Sequence, residues 1–85
     1  MGDDSLRLDK FLKNSRIIKR RTVAKEACIQ GRVQINDKVA KPGDEVKIGD
    51  IITVELGSNM LKVRVLDVRD DVKKEQAQEL YEYIE

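Results

Sequence analysis

The chain contains no histidine and no tryptophan, one cysteine, one proline, and only three aromatic residues. Without histidine there is no Ser-His or Cys-His nucleophile pair, and no histidine-containing zinc site. The single Cys28 can form neither an intrachain disulfide nor a Cys-x-x-Cys metal site. No apolar run approaches the roughly 18–20 residues that span a bilayer. No signal-peptide pattern is visible. Met1-Gly2 opens like a myristoylation site, but Leu6 stands where that motif needs Ser or Thr. A length of 85 residues leaves room for one small domain and no second catalytic lobe. These absences lead us to expect a cytoplasmic protein that is not an enzyme and holds no metal or cofactor.

What is abundant is charge, unevenly placed. Formal net charge is only +1. Residues 1–44 carry eleven bases and six acids, whereas the remainder carries six bases and ten acids. Between Arg7 and Lys25 there are eight bases and one acid, Asp9. A merely solvated surface mixes signs to limit self-repulsion, so this asymmetry points to a polyanion-binding region with a more acidic remainder.

Periodicity places that region on helices. Leu8, Phe11 and Leu12 share one helical face, and Asn14-Ser15 ends the segment. A second helix reads from about Arg21 to Gln30, with Val23, Ala24, Ala27 and Cys28 on one face and Gly31 as its closing residue. From Val33 the period becomes two. Val33/Ile35, Val46/Ile48, Ile52/Val54/Leu56 and Leu61/Val63/Val65 alternate with polar residues. Asn36-Asp37, Pro42-Gly43-Asp44, Gly49-Asp50 and Gly57-Ser58-Asn59 read as turns. Ala77, Leu80, Tyr81 and Ile84 restore a helical period, with Asp70 or Asp71 as N-cap. The expected fold is α+β in one domain over residues 6–85: a helical pair at 7–30, a small, mainly antiparallel sheet at 32–67, and a C-terminal helix at 71–84. Residues 1–5 read as a disordered leader or an expression remnant.

Arg and Lys neutralise phosphates and release condensed counterions, so they bind nucleic acid without reading bases. Lys19-Arg20-Arg21 precedes the second helix, whose exposed N–H groups also favour an anion. Phe11 is committed to the core, and Tyr81 to the last helix. With no aromatic pair on a strand, recognition of single strands by stacking is not expected. Structured RNA, or a duplex read through its backbone, fits better. A helix-turn-helix DNA binder competes, but Thr22, Lys25 and Glu26 make a thin base-reading set. Cys28 and the Tyr81/Tyr83 segment read as packing, and Asp9 as a cap or a partner for a neighbouring base. The acidic outer face of the last helix would be repelled by RNA and so orient binding.

Several segments together resemble the S4-type RNA-binding domain, the alpha-L motif. They are Arg7-Leu-Asp-Lys-Phe-Leu12, Ser15-Arg16, Arg20-Arg21-Thr-Val-Ala24, Gly31-Arg-Val-Gln-Ile-Asn36, Lys41-Pro42 and Val46-Lys-Ile-Gly-Asp-Ile51. Residues 7–13, 15–16 and 18–26 are similar to small stand-alone bacterial proteins of the YabO/RqcP type, relatives of the heat-shock ribosome-binding S4 protein. The resemblance implies a factor that binds ribosomal RNA on a large subunit carrying peptidyl-tRNA. It would assist ribosome-associated quality control, in which a tailing factor extends the stalled chain. The alternative it implies is a heat-shock-type ribosome-recycling factor, or a general structured-RNA-binding module of translation. By position, the RNA-contacting set would be Arg7, Lys10, Arg16, Lys19, Arg20, Arg21 and Lys25, with Arg7 and Arg21 foremost. The protein is expected to act as a monomer, away from membranes. Asn36-Asp37 departs from the Asn-Gly usual in the family's first hairpin.

Overall fold

The computed structural model describes residues 5–69 and 72–84. Helix α1 (Leu8–Asn14) forms because Leu8, Phe11 and Leu12 recur on one face, and all three are fully buried. It stops where Arg16 turns left-handed, at φ 63°. Three N–H groups then satisfy the last-turn carbonyls. Ser15 donates to Phe11 (2.9 Å), Arg16 to Lys13 (3.0 Å) and Ile18 to Leu12 (3.1 Å). Ile18 drops into the core immediately afterwards.

Helix α2 (Arg21–Ile29) buries Ala24 and Cys28. Val23, expected on that face, is 50% exposed, because the buried stripe is narrower than the four-residue pattern implied. Gly31 closes the helix at φ 77°. Its N–H donates to Cys28, and that of Arg32 to Ala27, the paired bonds of a Schellman cap.

The sheet expected over 32–67 is divided. Strands β2 (Val33–Ile35), β3 (Lys38–Val39), β5 (Ile51–Leu56), β6 (Asn59–Val65) and β7 (Tyr81–Tyr83) form a five-stranded antiparallel sheet of order β3-β2-β5-β6-β7. Asn36 and Asp37 both have positive φ (53° and 69°), as a two-residue type I′ hairpin requires. Strand β4 (Glu45–Lys47) instead pairs with β1 (Ser5–Arg7), placing Leu6 opposite Val46. Arg7 is therefore strand rather than helix, and Ser5 is not part of a frayed leader. The β4 backbone needed a partner, and the chain ahead of α1 supplies it. The other four residues of the expected leader lie outside the described residues.

The expected helix over 71–84 is also corrected. A short 3₁₀ helix occupies Lys74–Leu80, and β7 (Tyr81–Tyr83) pairs with β6. Ala77 and Leu80 stand three residues apart, which suits the three-residue turn of a 3₁₀ helix, and both are buried. Beyond them, the open edge of β6 offers unpaired backbone groups to a Tyr-x-Tyr segment of strand-favouring residues. The candidate caps Asp70 and Asp71 lie outside the described residues. Gln76 Oε1 accepts from the Lys73 N–H (3.3 Å) at the start of the 3₁₀ helix.

One core joins these parts. Leu8, Phe11 and Leu12 from α1 meet Val33, Ile52, Val54 and Val63 from the sheet, with Val46 and Leu80 closing the ends. Among the described residues, no helix is long and apolar enough to cross a membrane.

Candidate nucleic-acid interface

The two arginines singled out in sequence meet at one carboxylate. Asp9, in the first turn of α1, is only 2% exposed. Arg7 grips it with two bonds: Nε donates to Oδ1 (3.3 Å), and Nη2 to Oδ2 (3.2 Å). Arg21, at the start of α2, donates from Nε to Oδ2 (3.5 Å). Roughly half of each arginine side chain stays exposed (52% and 48%). A fixed acid beneath two guanidinium groups holds them side by side, with fork-shaped donors open to solvent. Lys25 lies at i+4 from Arg21, one turn along the same helix face. No side chain caps the N-terminus of α2, whose N-cap is Arg20.

A second cluster lies at the other end of α1. Arg16 and Lys19 line a groove of about 190 Å³ together with Lys13 and Asn14. Asn14 Nδ2 donates to the Arg69 carbonyl (3.1 Å), tying the end of α1 to the connection that follows β6. Arg16 also lines a wider groove of about 550 Å³, facing Lys74 and Tyr81. The expected set is thus exposed, apart from the half-buried Lys10, and five of its seven members fall into two groups: Arg7, Arg21 and Lys25 form one, Arg16 and Lys19 the other, while Arg20 at the N-cap of α2 and Lys10 join neither. Lys13 and Lys74 were not in the expected set. Lys13 was within reach of sequence, being on the outer face of α1. Lys74 carries no local signal, because only the fold brings it near Arg16.

Asp9 fulfils the pairing role read from its sequence. Cys28 is buried as expected, and its thiol is pushed up to about 11, chiefly by burial and then by the Asp9 and Asp44 carboxylates. A thiol held protonated at neutral pH is a poor nucleophile. Among the described residues, no group of three His, Cys, Asp or Glu side chains is placed to hold a metal ion.

The S4 domain family model matches residues 6–52, which contain both clusters' helices. The chain is 52% identical over 77 residues to the RQC P-site tRNA stabilizing factor of Halalkalibacterium halodurans, spanning 91% of this chain and 88% of that one. It is 51% identical over 76 residues to the protein of the same name from Bacillus subtilis, spanning 89% and 88%. The trimeric structure of Vibrio cholerae heat shock protein 15 superposes with a TM-score of 0.87 at 32% identity, covering 94% of this chain and 82% of that one. On these grounds the chain belongs to the S4 domain family.

Proposed function

We propose that this protein is a non-enzymatic RNA-binding factor of translation. It binds ribosomal RNA on the large subunit that carries peptidyl-tRNA, holds that tRNA in place, and so assists quality control of stalled nascent chains. The observation that carries this reading is the Arg7–Asp9–Arg21 bracket at the head of both helices. A buried acid holding two half-exposed arginines organises phosphate recognition in advance, so less side-chain entropy is lost on binding. The names of relatives at about half identity, RQC P-site tRNA stabilizing factor, supply the setting. Arg7, Lys10, Arg16, Lys19, Arg20, Arg21 and Lys25 make the contacts, without a cofactor. The protein acts in the cytoplasm as a monomer, alongside the factor that tails the stalled chain.

Sedimentation of the tagged protein through a lysate gradient tests this. Co-migration with free large subunits and peptidyl-tRNA is expected. Migration with small subunits, or with none, refutes it. The close superposition on heat shock protein 15 favours a second reading, a recycling factor that acts without tailing. Loss of C-terminal tails on stalled chains when the protein is deleted separates the first reading from the second.

A further inference from the structure

The wide groove beside Arg16 does not end at the basic residues. It is lined on its far side by Gln78 and Tyr81, and both residues also line a smaller groove of about 250 Å³ whose remaining wall is Tyr83. Three grooves therefore adjoin. Arg16 is shared by the first two, and Gln78 with Tyr81 by the last two. A path runs along the surface from Lys13 and Lys19, past Arg16 and Lys74, to the tyrosine pair.

The tyrosines are placed to act. They sit two residues apart on β7, so both project from the same face of the sheet edge. Their rings stand at 87° with centroids 5.4 Å apart, and their hydroxyls meet at 3.5 Å. Tyr81 is part-buried and anchored: its hydroxyl is pushed up to about 12, by burial first and then by the Tyr83 hydroxyl, and so stays protonated. Tyr83 is 67% exposed. The sequence alone placed these residues on a helix and argued against stacking; the strand reverses that premise.

Charge along the path also permits an anion. Two of the acids expected to repel RNA here have a cationic partner. Glu82 is paired with Arg64 (2.8 Å), and Glu79 lies 3.7 Å from Arg69, which it shares with the closer Asp67 (2.6 Å). Glu75 lines the wide groove, opposed by Arg16 and Lys74. Base–aromatic stacking next to a cationic track is the general means by which proteins hold single strands, and it tolerates any base.

We infer that this path is a second RNA contact, in which an unpaired strand lays its phosphates along Lys13, Lys19, Arg16 and Lys74 and stacks a base on Tyr83. The inference rests on the RNA-binding reading above and extends it from folded RNA to an adjoining single-stranded segment.

The test compares a blunt RNA hairpin with the same hairpin carrying a short unpaired tail. Tyr81 and Tyr83 are the only tyrosines and tryptophan is absent, so intrinsic emission reports on this pair alone. The tail is expected to tighten binding by at least about fivefold, from the usual worth of one stacked base, and to quench tyrosine emission. Tyr83→Ala, at an exposed position that leaves the fold intact by circular dichroism, abolishes the gain, and Tyr83→Phe keeps it. Lys74→Ala lowers the salt slope by about 1 for the tailed RNA only. If the blunt hairpin binds but the tail adds neither affinity nor quenching, or if Tyr83→Ala keeps the full gain, the second contact is overturned and the first reading stands. If neither RNA binds, both fall.

Discussion

Replacing Asp9 by Asn separates positioning from charge. The substitution keeps the volume of a side chain that is only 2% exposed. It removes the charge that Arg7 and Arg21 share, and turns an amide N–H toward guanidinium donors that need an acceptor. A fully buried ion pair broken on one side costs about 3–5 kcal/mol. Both arginines here keep about half their surface in water (52% and 48% exposed), so the stranded cations are hydrated and the cost is nearer 1–2 kcal/mol. In a domain of this size that lowers Tm by roughly 5–15 °C. Released from Asp9, each arginine must be immobilised anew on RNA, at about 0.5–1.5 kcal/mol apiece. Affinity should therefore fall about five- to 150-fold. Charge counting alone predicts the opposite, because the variant's formal charge rises from +1 to +2 and RNA is an anion. Fluorescence anisotropy with a labelled RNA hairpin, well below both melting temperatures and at fixed salt, decides between them. Tighter or unchanged binding by folded Asp9→Asn protein would refute the claim that the carboxylate organises the site.

Arg16 holds a φ of 63° that glycine adopts more easily. Arg16→Gly should thus raise stability by up to about 1 kcal/mol in thermal melts while reducing the RNA salt slope by about 1. A loss of stability would place the helix stop elsewhere. Asp37→Gly, at φ 69° in the type I′ hairpin, should stabilise the fold by several tenths of a kcal/mol in urea titrations and leave RNA affinity unchanged. The Cys28 thiol is raised from 9.0 to about 11 on folding, so the folded protein holds its proton where the unfolded chain has lost it. Stability from this group is intact below pH 9 and lost as pH climbs from about 9 through 11. Denaturation of Cys28→Ala across that range should show a shallower decline than the parent, and an identical decline would refute the assignment.

How much of this was readable from sequence depended on whether a residue's partner was near in the chain. The α1 face, the Gly31 cap and the Asn36-Asp37 turn depend on neighbours within a few positions, and each forms where the pattern put it. The tail did not obey its pattern. Ala77, Leu80, Tyr81 and Ile84 fit a helical period, but four residues bury too little to outweigh the hydrogen bonds available along β6. The competing partner, Val63–Val65, lies about twenty residues upstream and leaves no trace in the local period. The same reasoning applies to β1, whose pairing with Glu45–Lys47 spans some forty residues.

The site divides along the same line, and the division bears on function. Arg7 and Arg21 stood out as members of a charge run, but a charge run does not say which cations act together. That information lies in Asp9, the one acid among eight bases, whose value comes from burial that composition does not reveal. Lys74 and Tyr83 are further still from the basic stretch, in a half of the chain whose net charge is negative. Lys74 shares a groove with Arg16, and Tyr83 lines the groove adjoining it, only because β7 folds back along β6 and carries the 3₁₀ helix to the end of α1. A stretch that looked like an acidic counterweight thus contributes a lysine, an aromatic ring and an arginine-paired glutamate to the border of the basic face. Net charge per segment locates where phosphates bind first. It does not set the limits of the surface they cross, because ion pairing in the folded chain decides which charges remain to be felt.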